Sequence, residues 1–314
     1  MKKRIWIALA AALLAAGLIV VLLFRNGGSD TVGICYRENE NSENAAYRAA
    51  LEKALTRQGY ELIVTDADGD QAKQLAFITQ LSEKKCDILI IEPVMAEAVD
   101  ELKSTLQTTN LPAVLCNREL DMSLWGDYPN VSYVGADSQQ AGALQGQMVL
   151  QLPESGDLNG DGILSYLIIS GPEDHKRSVI QQQTVEQVFA SHNAHCLEVV
   201  HGDWTVDSGR KLCKQELAQF GKDIEVILCG NDQMAMGAVQ AIADGGRTVG
   251  KDIYLFGMDG DADTLELIGQ GGITGTVARD TDTEIQNIVK MVQDSLNNSL
   301  IEKEILVPYL PITQ

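Results

Sequence analysis

Positive charge is what this chain has least of. Its 24 Lys and Arg stand against 44 Asp and Glu, giving a formal net charge of −20. Such a surface repels polyanions, which argues against nucleic acid and anionic lipid surfaces as partners. A disulfide framework is missing too. None of the six cysteines shows CxxC spacing. Cys35, Cys116, Cys196 and Cys229 fall in apolar strand-like runs, Cys86 just before one, and Cys213 in a helical pattern. Buried free thiols are the reading that follows. Nor is there a catalytic signature. No G-x-S-x-G elbow occurs, and four His between positions 175 and 201 suggest no Ser-His-Asp set. The chain therefore reads as a binding protein, not an enzyme. His192, His195 and Cys196 have a metal-like spacing, but they fall at a helix-to-strand loop and read as surface.

What is present begins at the amino end. Ile5 to Phe24 is an uncharged run of 20 residues, preceded by Lys2, Lys3 and Arg4 and followed by Arg25. At about 1.5 Å per residue it spans a hydrocarbon core of about 30 Å. Cleaved signals carry a shorter apolar region of about 7–15 residues. A retained transmembrane helix is favoured over a cleaved signal, with the basic flank inside and the rest extracytoplasmic at the cell membrane.

After the linker, strand and helix alternate. Val32–Tyr36, Glu61–Thr65, Asp87–Ile91, Pro112–Cys116 and Ser132–Val134 read as strands separated by helices over 44–58, 71–84 and 96–107. From Ala141 the alternation restarts, with strands at 164–169, 196–200, 225–229 and 253–256 between helices 141–151, 178–191, 207–219 and 232–243. Short apolar strands with βαβ punctuation imply two doubly wound α/β lobes of parallel sheet. The expected division is 1–30 as anchor or signal and linker, 31–137 plus 280–308 as one lobe, and 138–279 plus 309–314 as the other. The hinge is expected at Asp137–Gln139, Arg279–Asp280 and Val307–Tyr309. Ligands bind beyond the carboxyl ends of such strands. The polar residues there include Glu40, Asn41, Glu92, Asn117, Arg118, His175, Arg177, Asn231, Asp259 and Arg279, with Trp204 as the one large aromatic. Planar polar groups pair with hydroxyls, and an indole covers the apolar face of a sugar ring. Asp137 and Asp232 read as helix caps instead.

One stretch carries a second message. Asp157-Leu158-Asn159-Gly160-Asp161-Gly162-Ile163-Leu164-Ser165 places oxygen ligands as an EF-hand loop does at positions 1, 3 and 5, with a carbonyl at 7 and Ser165 at 9. Position 12, where a bidentate Glu closes the cage, is Ile168. Either this is an Asx-rich turn before a strand, or the closing carboxylate comes from elsewhere.

That loop, His175, Trp204, Asn231-Asp232-Gln233-Met234-Ala235-Met236-Gly237, Phe256-Gly257-Met258-Asp259 and Val307-Pro308-Tyr309 resemble the periplasmic glucose/galactose-binding proteins. These lie within the type I sugar-binding proteins of ABC transporters. The resemblance covers nearly the whole chain after the anchor. It implies a structural calcium ion held by Asp157, Asn159, Asp161, the Ile163 carbonyl, Ser165 and Glu225. It implies sugar contacts by His175, Trp204, Asn231 and Asp259. Glu92 and Arg279 stand where the glucose/galactose binders use asparagines, Arg177 replaces an aspartate, and Arg118 resembles an arginine of pentose-binding cousins. The scaffold is shared and the pocket rewritten, with the extra arginines hinting at an acidic or modified sugar. Delivery of a sugar to an ABC permease by a monomer is the expectation; the alternative is a sugar sensor reporting to a histidine kinase or chemoreceptor.

Overall fold

The computed structural model describes residues 29–38, 42–118 and 120–314. The apolar run 5–24 and the candidates Glu40 and Asn41 lie outside them. Among the described residues no helix is long and apolar enough to cross a membrane.

Among the described residues twelve strands form two six-stranded sheets. The first holds β1 (Thr31–Tyr36), β2 (Glu61–Asp66), β3 (Ile88–Ile91), β4 (Ala113–Cys116), β5 (Val131–Ala136) and β11 (Glu304–Val307). Its order is β2-β1-β3-β4-β5-β11, parallel throughout. The second holds β6 (Leu164–Ser170), β7 (Ala194–His201), β8 (Val226–Cys229), β9 (Tyr254–Asp259), β10 (Gly275–Arg279) and β12 (Tyr309–Thr313), in the order β7-β6-β8-β9-β10-β12. Here the expectation of parallel pairing fails at one edge, because β12 runs antiparallel to β10. Only Pro308 separates β11 from β12, so the chain has no length for the crossover that a parallel strand requires.

Strand residues divide by parity between two cores. Val32, Ile34, Ile88 and Ile90 enter one cluster; Cys35, Leu89 and Ile91 enter the other. The second sheet repeats this with Val226 and Leu228 on one face, Ile227 and Cys229 on the other. Burial on both faces is why these strands are continuous apolar runs. Helices α1 (Ser42–Arg57), α2 (Gln71–Glu83) and α3 (Val99–Thr109) cover the first sheet. Helices α4 (Ser138–Leu150), α5 (Lys176–Phe189), α6 (Val206–Phe220), α7 (Asp232–Asp244) and α8 (Ala262–Gly269) belong with the second. α9 (Thr281–Leu296) follows β10 but packs on the first lobe, where Ile285, Ile288 and Val292 join its core.

The chain thus changes lobe at Asp137, at Asp280 and at Pro308. Asp137 and Asp280 cap the helices that begin there, accepting from Gln139 and Gln140 and from Thr283 respectively. The crossings also bind each other, since Asp137 N–H donates to the Val307 carbonyl and Tyr309 N–H to Gln140 Oε1. Five cysteines are buried, Cys196 is half-buried, and all six are free thiols.

Candidate functional site

The carboxyl ends of both sheets open on one cavity of about 960 Å³. Of the eleven sequence candidates, Glu92, Asn117, Arg118, His175, Arg177, Trp204, Asn231, Asp259 and Arg279 all line it. They come from the carboxyl ends of β3, β4, β6, β7, β8, β9 and β10 or from the residues that follow. Both sheets reverse strand order there, between β1 and β3 and between β6 and β8, and such switch points are where open α/β sheets take ligands.

The first-lobe wall is internally wired. Glu92 is 2% exposed. It accepts from Asn117 Nδ2 at 2.6 Å and from Arg48 Nη2 at 3.3 Å, and lies 3.8 Å from Arg37 Nε. Its carboxylate organises three neighbours before it can offer anything to a ligand. Arg48 also pairs with Asp66 at 2.6 Å and lies 4.3 Å over the Tyr36 ring. Arg118 donates to the Val94 carbonyl.

The second-lobe wall is built around Trp204. A Cβ at Gly171 would stand 2.0 Å from its indole, and one at Gly230 3.1 Å. Two side-chain-free positions after β6 and β8 therefore make the seat of the ring. His175 meets it edge to face at 5.7 Å, and the Arg177 guanidinium lies 5.9 Å from its centre. Trp204 itself has φ 71°, and Asn117 and Asp259 also take positive φ at 62° and 113°. Left-handed conformations are costly for side-chain-bearing residues and gather where function requires them. Three of them line this cavity.

Asn231 holds the Trp204 turn. Its Nδ2 donates to the Trp204 carbonyl at 3.0 Å while its Oδ1 caps α7 by accepting from Met234 N–H. This corrects the capping assignment, because the cap is Asn231 and not Asp232. Asp232 is fully buried; it accepts from the N–H groups of Gly260 and Asp261 and from the Thr276 hydroxyl. Burial, with Asp259 adding to it, pushes its carboxyl up to about 8. Arg177 is not a spare cation, since it pairs with Asp259. Burial, then Arg177, Arg118 and Arg37, hold the His175 imidazole below its usual range, and its Nδ1 is buried without a protein partner.

Sequence reasoning passed over Arg37, Arg48, Gly171 and Gly230. Arg37 directly follows β1 and met the same strand-end rule; the two glycines directly follow β6 and β8. Arg48 lies within a helix, where no local signal marks it.

The oxygen-rich loop and Glu225 do come together. Glu225 is 1% exposed; its Oε1 accepts from Leu158 and Asn159 N–H, and its Oε2 from Ser165 N–H, at 2.7–2.9 Å. Asp157 accepts from Gly160 and Gly162, Asn159 from Asp161, and Asp161 from Ile163. Among the described residues no three acidic, His or Cys side chains are gathered closely enough to hold a metal as they stand. In kind the donor set fits a hard cation: all oxygen, with three carboxylates and no ion pair to any of them among the described residues. His192 and His195 are exposed on the far side from the cleft.

Residues 32–299 match the model of the periplasmic binding protein domain family. The D-galactose/methyl-galactoside binding periplasmic protein of Haemophilus influenzae is 25% identical over 262 residues, 82% of this chain and 78% of that protein. A putative rhizopine-binding protein of Rhizobium meliloti is 24% identical, covering 100% of this chain and 97% of its own. Among solved structures, an ABC transporter periplasmic solute-binding protein of Actinobacillus succinogenes with bound D-allose superposes with TM-score 0.79 at 18% identity, covering 91% and 98% of the two chains. An ABC transporter solute-binding protein of Bacillus halodurans with bound myo-inositol gives 0.76 at 22%, covering 92% and 96%.

Proposed function

The chain belongs to the periplasmic binding protein domain family, and from that premise we propose that it captures a sugar or sugar derivative between its lobes and delivers it to an ABC importer. One observation carries this reading. Nine polar and aromatic side chains from seven strand ends converge on a single cavity, with an indole seated on two glycines as its floor. Relatives named for galactoside, rhizopine and ribose binding support a polyhydroxylated ligand. They are binding proteins, and this chain is not an enzyme.

Closure of the hinge brings the walls onto the ligand, and the ligand's preference for the closed state supplies the shift. Arg177 and Arg279 are bound to Asp259 and Glu284, so the cleft offers fixed ion pairs to hydroxyls. That weakens the case for an acidic sugar. Retention at the membrane through residues 5–24, with the lobes outside, is part of the proposal. So is a calcium ion held by Asp157, Asn159, Asp161, Ile163, Ser165 and Glu225. It would offset two of the three carboxylate charges there, on the second lobe and far from the cleft.

The test is a thermal-shift panel of hexoses, pentoses, inositols, sugar acids and sugar phosphates on the full chain, repeated with W204A. A stabilising hit lost in W204A supports the reading. A panel with no hit, or a hit that W204A leaves unchanged, removes the cleft as the site.

A further inference from the structure

Because the first sheet is parallel throughout, all its strands begin at one end of the lobe, opposite the cleft. The turns leading into them bind one another in a row. Glu61 N–H donates to Asp30 O, Asp87 N–H to Thr31 O, Leu89 N–H to Pro112 O, Ala113 N–H to Asn130 O, and Tyr133 N–H to Lys303 O. This base differs from the rest of the molecule in two ways. Across Asp30, the turns 57–60, 84–87, 110–112, 126–130 and 297–303, and the first strand residues Glu61 and Glu304, the charge is only weakly negative. Arg57, Lys84, Lys85 and Lys303 stand among Asp30, Glu61, Asp87, Asp127, Glu302 and Glu304, on a chain that is −20 overall. The base also carries Leu300 at 98% exposure, the most exposed of the large apolar side chains among the described residues. Beside the strand ends is a groove of about 200 Å³ lined by Leu106, Leu111, Tyr128 and Pro129. Lys303 Nζ ties the Leu300 turn to that groove by donating to the Tyr128 carbonyl.

The chain itself says what covers this face. Only residues 25–30 separate the end of the apolar run at Phe24 from the first residue of β1. Six residues reach at most about 20 Å, which is about the length of β1. β1 starts within the base, one strand in from the edge of the sheet.

We propose that the base of the first lobe rests on the outer surface of the lipid bilayer, with Leu300 entering the headgroup layer and the cleft held away from it. This rests on the reading that residues 5–24 are a retained anchor. The net charge still argues against anionic lipid for the molecule as a whole; the weakly charged base is the face that meets least repulsion. Tyr60 and Tyr128 supply the amphipathic rings favoured at such a boundary.

The experiment uses the full chain in phosphatidylcholine vesicles with a minor fraction of phosphatidylglycerol. C196S removes the one half-buried thiol, and a nitroxide is placed by L300C or, on α5 of the second lobe, by V179C. Relaxation by oxygen, which partitions into lipid, is compared with relaxation by an aqueous nickel chelate. The label at 300 is expected to favour oxygen several-fold over the label at 179. Equal ratios in protein that stays with the vesicles through an alkaline wash would overturn the resting surface while leaving the anchor intact. Release of the protein into the wash would overturn both.

Discussion

Arg279, the last residue of β10 in the second sheet, donates through Nη2 to Asn117 Oδ1 at 3.0 Å, at the tip of β4 in the first. The same nitrogen reaches Glu284 Oε2 at 2.9 Å, and Glu284 Oε1 accepts from the Tyr47 hydroxyl at 3.0 Å. One guanidinium therefore joins both lobes to the helix that follows the second crossing. Removing it by R279L strands a carboxylate that is 1% exposed. The expected loss is about 3 kcal/mol, that of an orphaned buried charge. Urea unfolding measures the loss, and small-angle scattering should show a larger mean radius without ligand. A variant as stable and as compact as the parent would mean the contact does not couple the lobes.

G171A tests the seat of Trp204 without touching the ring. The added methyl collides with the indole at 2.0 Å, so the ring must leave its place. Ligand affinity should fall at least tenfold, about 1.4 kcal/mol, while the unfolding midpoint changes far less. Calorimetric titration with the best ligand from the panel measures it. Unchanged affinity would show that the ring's position is irrelevant to binding.

Asp232 predicts a pH effect. Its folded carboxyl is raised to about 8 from an ordinary 3.8, so below about 3.8 its contribution is fully present. Through the window up to about 8 the unfolded chain is ionised while the folded one holds the proton, and stability is lost as pH rises. D232N keeps a carbonyl for the Gly260 and Asp261 amides and reverses the Thr276 bond, its amide donating to the hydroxyl that now donates to Asp232. It should fold normally and abolish the decline between pH 6 and 8 seen in urea midpoints. A parent with no decline there would refute the raised value.

Calcium, if it binds the Asp157–Ser165 loop, stabilises by mass action, about 2.7 kcal/mol at one hundred times its dissociation constant. Melting with millimolar calcium against chelator should separate the two curves, and E225Q should collapse them. Identical curves for the parent would leave the loop as a turn held by its amides alone.

Much of the fold was written plainly in the chain. Strands such as Ile88–Ile91 are apolar at every position, and the helices between them keep their period, so type and order follow from local pattern. β12 was not legible, because Tyr309–Thr313 alternates weakly and its direction is set by the single residue before it. In the site, the strand-end rule found Trp204 and Asp259. It could not show that Glu92 is spent on Arg48, a partner 44 residues away. Nor could it tell Asn231 from Asp232 as the cap, since adjacent polar residues at a helix start satisfy the same pattern and only the backbone turn chooses between them.

The one-residue link at Pro308 has a temporal meaning. β11 and β12 are edge strands of different sheets, and both are drawn from residues 304–313. A growing chain therefore cannot finish either half until residues 304–313 are made. Until then each half lacks an outer ribbon and exposes a hydrogen-bonding border. Completion of the pair is a single event, and deletion of residues 304–313 would damage both halves together.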